Sequence, residues 1–311
     1  MSGISIVLTY YKGEKFIENC INSLIDSYQA SSKLLAYEIV MVVDSMEDAD
    51  RIESLLSTKY KDHHLIIIKN EKNIGVAESR NKGLKAIKNT FYTIIDQDDY
   101  VEKEYFSVLE KELDVKVPVH FINGVINYVN ENIKVPIYTF EPKFKFKSLI
   151  LLDTFIYTPG LLIFNTAFVP SDGLFVDTSP DHKGCDDWAA YLNLILSSEQ
   201  EIKYKFINRL LFVYVLHDTN YSNDKEEMIR SSMAVLKYLR KHKNLDGRRA
   251  KLVEKAQSMQ DFYISRDVKL ASKASLLFNY PSQFLYKYFF SLFTSDNMNK
   301  IILKLRYRMK K

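Results

Sequence analysis

The feature that most constrains this chain is a regular alternation near its start. Ile4–Leu8, Tyr37–Val43, Leu65–Lys69 and Phe91–Ile95 are short, nearly continuous apolar runs. Runs of that kind, without polar alternation, predict strands buried on both faces. Between them, Glu14–Tyr28, Asp48–Tyr60 and Val76–Lys88 carry apolar residues three and four apart, which predicts helices. Four strands alternating with three helices predict an α/β domain built on a parallel sheet. In such sheets ligands lie beyond the carboxyl ends of the strands. The polar residues at those ends are therefore the ones to inspect: Thr9, Tyr10 and Tyr11; Asp44 and Ser45; Asn70, Asn73 and Gly75; Asp96, Asp98 and Asp99.

Further along, the pattern is less regular. Val119–Asn130 predicts one long strand or a strand pair, and Lys145–Thr154 a helix or lid segment. Leu161–Phe164 and Phe206–Val215 predict strands, and Asp186–Leu196 a helix. From Lys225 the pattern is helical to the end, with breaks near Asp246-Gly247 and Pro281. The expected organisation is one α/β unit over 1–224, divided near residue 100, and a helical extension over 225–311.

Composition narrows the class. With 47% hydrophobic and 26% charged residues the chain is neither disordered nor fibrous. Two cysteines, Cys20 and Cys185, make no disulfide framework and no paired metal-binding motif, which fits a reducing compartment. The N-terminus enters a strand pattern at once, so no signal peptide is expected. The longest apolar stretch, Leu149–Val169, is broken by Asp153, Pro159 and Gly160 and makes a poor membrane span. The expected location is the cytoplasm, with attachment to the inner face of the plasma membrane.

Charge is unevenly placed. The whole chain carries +4, but Val268–Lys311 holds nine Lys/Arg and a single acid, Asp296. The body is mildly acidic, so no nucleic-acid partner is expected. Within 276–311 a Phe/Tyr-rich segment precedes a basic amphipathic one, a pattern suited to an interfacial helix on anionic lipid. A helical pair packed on protein, including a homodimer contact, is the other reading of the same segment.

Asp96-Gln97-Asp98-Asp99 follows directly on an apolar strand. Three carboxylates within four residues repel one another unless something positive lies among them. A hard divalent cation is the natural candidate, since Mg²⁺ and Mn²⁺ take oxygen ligands and share them with phosphates. A solvated acidic turn ahead of a helix near Glu102 is the plain alternative.

Four ordered segments resemble the inverting glycosyltransferases of family 2, which share the glycosyltransferase A fold. They are Ile6-Val7-Leu8-Thr9-Tyr10-Tyr11, Val42-Val43-Asp44-Ser45, Asn73 to Gly83 (similar to N-x-G-x-x-x-x-R-N-x-G) and Asp96-Gln97-Asp98-Asp99 (D-x-D-D). The resemblance implies a Rossmann-like, mostly parallel sheet flanked by helices, with 1–100 as the donor-binding half and 101–224 as the acceptor half. It implies that Thr9, Tyr11, Asp44, Asn73, Arg80 and Asp96 bind the donor nucleotide and that Asp98 binds the metal. Ser45 stands where the family has a second acid, so the base contact rests on Asp44.

Two later segments extend the resemblance. Asp186-Asp187-Trp188 is similar to the family's E-D motif, which implies Asp187 as catalytic base, with Asp186 as alternative or acceptor contact and Trp188 as a sugar-stacking residue. Tyr214 to Ser222 is similar to a Y-R-x-H-x-x-x-x-S segment, although Val215 replaces the arginine; His217 would then approach the metal or diphosphate. The implied reaction moves a sugar from a nucleotide-diphosphate sugar, with UDP the commonest in the family, to a hydroxyl of a glycan or lipid-linked acceptor. It uses Mn²⁺ or Mg²⁺ and inverts the anomeric carbon in one displacement. Capsule or lipopolysaccharide synthesis is the implied setting.

Three other readings make different demands. A sugar-1-phosphate nucleotidyltransferase needs a glycine- and base-rich loop after the first strand, where this chain has a single glycine, Gly13. A non-catalytic glycan-binding protein need not keep Asp96, Asp98 and Asp187. An aspartate-nucleophile phosphatase would use the first acid of a D-x-D to attack phosphate. Cys185 lacks a neighbouring His–Asp pattern and is not read as a nucleophile.

Overall fold

The computed structural model describes residues 3–179, 181 and 184–264. The segment 276–311, where a membrane or protein contact is expected, lies outside the described residues, as does Pro281. The described chain up to Ala256 forms one compact unit, and Gln257 onward belongs to a second. The first unit thus takes in a helix beyond residue 224.

The four expected strands form as β1 (Gly3–Tyr10), β2 (Ala36–Val43), β3 (Leu65–Lys69) and β4 (Phe91–Asp96). All pair parallel, in the order β3-β2-β1-β4. The connecting helices are α1 (Glu14–Gln29), α2 (Ala49–Lys59) and α3 (Val76–Leu84). Helix α1 buries Ile17, Cys20, Ile21, Leu24 and Ile25, the stripe its spacing predicts. Helix α3 stops four residues before the expected Lys88. The buried Glu38 on β2 takes the Lys88 backbone N–H at 2.7 Å and the Ser5 hydroxyl at 2.5 Å, so that amide serves the sheet rather than the helix.

Beyond β4 antiparallel pairs join the parallel ones. The later elements are β5 (Tyr100–Val101), α4 (Tyr105–Glu112), β6 (Val119–Tyr128), β7 (Ile133–Pro136), α5 (Phe146–Ile150), β8 (Leu162–Asn165), α6 (Asp186–Ser197), β9 (Tyr204–Leu216), α7 (Lys225–Leu239) and α8 (Gly247–Ile264). The sheet continues β4-β8-β6-β9-β5, with β7 paired to β6. Strand β8 is antiparallel to both β4 and β6, while β6 and β9 are parallel. Antiparallel pairs need no helical crossover; in this second half the parallel pair β6–β9 has α6 in its connection. The expected helix over Lys145–Thr154 is shorter, Phe146–Ile150, and the chain then turns.

One core cluster runs the length of the first unit, from β1 through α6 to Val235, Leu236 and Leu239 of α7 and Val253 and Ala256 of α8. Among the described residues no helix is long and apolar enough to cross a membrane.

Candidate active site

The acidic turn after β4 sends its side chains in different directions. The Asp99 N–H donates to the Asp96 carbonyl at 3.0 Å, closing the turn. Asp99 points inward and is 1% exposed. Its carboxylate accepts from the Thr158 hydroxyl and the Val215 N–H, both at 2.9 Å. Burial, reinforced by the charges of Asp98 and Asp96, pushes its pKa well above the carboxylate range. Asp99 is therefore a clamp between the turn, the segment ahead of β8 and strand β9.

Asp98 faces the other way. Its Oδ2 lies 3.0 Å from His217 Nε2 and accepts from the Asn220 amide at 3.1 Å. The other imidazole nitrogen is 2.9 Å from the Thr219 hydroxyl, and the ring stacks on Phe16 of α1 at 4.5 Å between centroids. These contacts orient the imidazole from both faces of the cleft. Burial and the neighbouring Asp96 charge raise the Asp98 pKa despite His217.

Arg80, from the interior of α3, joins the two halves. One guanidinium nitrogen donates to Asp96 at 2.5 Å, and the other to Asp186 at 2.6 Å, across a sequence separation of 106 residues. The Arg80 side chain is 6% exposed, and its head lies 5.2 Å from the Phe175 ring centroid. Asn81, next to it, exchanges two hydrogen bonds with the Phe175 backbone and so holds that strand of loop beside Arg80. The Arg80 Nε, also buried, has no partner among the described residues.

Asp187 lies beside this clamp at the start of α6. Its Oδ1 accepts from the Trp188 N–H at 2.7 Å. Burial and the adjacent Asp186 charge push its pKa up to about 7, against the opposing pull of Arg80. Burial and the Asp96 charge raise Asp186 in turn, although Arg80 is bonded to it. A carboxyl poised near neutrality is suited to taking a proton from a hydroxyl. One turn along the same helix, the buried Tyr191 hydroxyl has no partner among the described residues.

Just after β2, Asp44 is 4% exposed. Its Oδ1 accepts from the Asn70 amide at 2.8 Å and the Ile74 N–H at 2.9 Å, and its Oδ2 from the Gly75 N–H at 2.9 Å. Gly75 has φ 87, a left-handed value that favours glycine and turns the loop into α3. Asn73 accepts from the same Gly75 N–H at 3.1 Å. Asp44 thus shapes this loop, and any contact to a base shares its oxygens with those donors. A small cleft lies between this loop and 176–178, with Asp186 in its wall.

Thr9 is half-buried at the end of β1, and Tyr11 is 48% exposed. Sequence reasoning missed what holds them. Gln97, the unassigned residue of the acidic turn, accepts from the Tyr11 N–H at 3.0 Å and donates to the Tyr11 carbonyl at 2.9 Å. Gly13 admits it, because a Cβ there would meet the Gln97 amide oxygen at 2.0 Å. Asn220 and Phe16 were missed as well; nothing in their local pattern marks them.

Trp188 donates its indole N–H to the Leu149 carbonyl at 3.0 Å and packs against the core, so its ring is anchored by one edge. Cys185 is half-buried, and burial with the charges of Asp187 and Asp186 pushes its thiol up to about 12, which leaves it an inert thiol.

Among the described residues no group of three or more His, Cys, Asp or Glu side chains is arranged to hold a metal. Asp98 and His217 are a carboxylate and an imidazole within contact, in surroundings that leave the carboxylate short of positive charge. That donor set fits a hard divalent cation which completes its shell with phosphate and water oxygens.

Residues 5–168 match the family model for glycosyl transferase family 2. The chain belongs to that family. The match covers β1 to β8 and the acidic turn, and ends before Asp186, Asp187 and His217. An uncharacterized glycosyltransferase of Bacillus subtilis, EpsJ, is 32% identical over 111 residues, covering 36% of this chain and 30% of that protein. Matches to the first curated relatives span at most about half of their length. Among solved structures, residues 1–349 of S. aureus TarS in complex with UDP superpose with a TM-score of 0.55 at 18% identity, covering 88% of this chain and 78% of that one. The mannosyltransferase PcManGT of Pyrobaculum calidifontis, in complex with GDP-Man and Mn²⁺, gives 0.57 at 13% identity, with 100% and 81% covered. These similarities identify the fold of this family 2 chain as the glycosyltransferase A fold.

Proposed function

We propose that this protein transfers a sugar from a nucleotide-diphosphate sugar to an acceptor hydroxyl by a single inverting displacement. The observation that carries the reading is the arrangement around Arg80: Asp96 from the first half and Asp186 from the second share one buried cation, and Asp187 beside them is held near neutrality.

The roles follow from position. Asp44 and Asn73 shape the loop that receives the nucleotide, with Thr9 near the end of β1 and Tyr11 just after that strand. Arg80, with its terminal nitrogens on Asp96 and Asp186, positions Asp96 for the ribose or sugar end. Asp98 and His217 would hold Mn²⁺ or Mg²⁺, which when bound offsets the negative charge that develops on the departing diphosphate. Asp187 takes the proton from the acceptor hydroxyl as the new bond forms, a contribution of roughly 10²–10⁴-fold. The Asp186 charge, fixed by Arg80, raises the Asp187 pKa and so makes its carboxylate a stronger base.

UDP is the proposed nucleotide; the TarS structures contain UDP and UDP-GlcNAc, and the PcManGT structure contains GDP-Man. The proposed acceptor is a glycan or lipid-linked glycan of the bacterial surface, as in capsule or lipopolysaccharide synthesis, reached from the cytoplasmic face of the membrane. A thermal-shift panel of UDP-, GDP- and CDP-sugars with Mn²⁺ tests the donor site. Stabilisation by one nucleotide class, lost in Asp98→Ala, is expected; no stabilisation by any of them rejects the reading.

A further inference from the structure

Resting on that reading, we infer that Phe155, Tyr157 and Tyr214 form an aromatic platform that receives a pyranose ring of the acceptor. Phe155 and Tyr157 meet edge to face at 4.7 Å, and Tyr157 lies 6.1 Å from Tyr214. Phe155 is 47% and Tyr157 38% exposed, so apolar ring surface faces water at both. Clustered aromatics with that much exposed ring surface mark a binding surface.

Asp99 ties this platform to the acidic turn. It accepts from Thr158, next to Tyr157, and from the Val215 N–H, next to Tyr214. One buried carboxylate therefore fixes the two aromatic segments relative to Asp96 and Asp98. The Tyr214 hydroxyl reaches Ser222 at 3.4 Å, in the loop that carries His217. The charges of Asp99, Asp96 and Asp98 all act on Tyr214, as expected of a ring beside the turn. The Tyr138 hydroxyl donates to the Phe155 carbonyl at 3.0 Å and steadies the outer edge.

Sheet order selects the occupant. The nucleotide residues follow β1 and β2 or precede α3, on one side of β4. The platform stands ahead of β8 and on β9, on the other side. A ring seated there lies across the acidic turn from the nucleotide end, where an acceptor belongs. The C–H face of a pyranose is apolar and matches an aromatic ring, and its rim hydroxyls remain free for polar partners.

Saturation-transfer NMR with methyl β-glucoside and methyl β-N-acetylglucosaminide tests the platform without needing turnover. Wild type should show enhancement at the ring protons of one sugar face. Phe155→Ala and Tyr157→Ala should lose it, by about tenfold in affinity, the scale of one aromatic stack. Tyr157→Phe, which keeps the ring, should retain it, an outcome that loss of folding would not produce. Absence of enhancement in wild type, or equal enhancement in both alanine variants, overturns the platform. A nucleotide-sugar shift without glycoside enhancement rejects the platform alone, whereas no nucleotide-sugar shift rejects the donor reading.

Discussion

Two parallel strands of this sheet end in an acid, and the fold treats the two ends differently. After β2, the Asp44 carboxylate is met by two backbone amides and a side-chain amide, all neutral donors in a closed loop. After β4, Asp96 and Asp98 join Asp186 and Asp187 in a cleft where Arg80 and His217 are the basic partners the contacts show. The first end is held by three hydrogen bonds that shape the loop. The second keeps an excess of negative charge and raised carboxyl pKa values, the mark of a site built for a ligand that brings positive charge or gives up a proton.

Breaking the second end should matter most. Asp187→Asn should lower kcat by roughly 10²–10⁴-fold in a sugar-transfer assay. It should not lower the melting temperature at pH 8, because a carboxyl whose folded pKa lies above its unfolded value loses stability as pH rises through that range. With the wild-type carboxyl pushed up to about 7, the rate should climb with pH below neutrality and level off above it. A flat profile from pH 5 to 8 would remove Asp187 as base. Next, Arg80→Met leaves Asp96 and Asp186 facing each other without a cation. Its cost should be about 3–5 kcal/mol, read from urea unfolding; a cost near zero would show that the two halves do not depend on this clamp.

At the first end, Asp44→Ala strands two backbone N–H groups and should cost about 1–3 kcal/mol while weakening nucleotide-induced stabilisation. If stability falls and nucleotide binding stays intact, Asp44 is architectural alone. The smallest effect is expected from Gln97→Ala, which frees the Tyr11 backbone from the acidic turn. About 0.5–1.5 kcal/mol should be lost, together with a higher KM for the donor; unchanged values would separate the β1 loop from the site.

The strands of the first half were legible because parallel strands buried on both faces require unbroken apolar runs, and a run simply ends where the site begins. That is why Asp44, Asp96 and Asp98 could be picked out as strand-end residues. The shortened α3 was not legible, because its end depends on Glu38, a residue from a different strand. The mixed strand order of the second half was hidden for a similar reason: β6 and β8 read as apolar runs whichever way they pair.

Local order along the chain thus determined the layered α/β architecture and which acids stand at its open edge, since periodicity and strand ends are properties of neighbouring residues. The tertiary structure decided what each acid does. Asp99 became a clamp, Asp98 a partner of His217, and Asp186 a counter-ion of Arg80, through contacts between residues 59 to 119 positions apart. Charge, burial and pKa depend on distance in space, and no spacing within a segment encodes that distance.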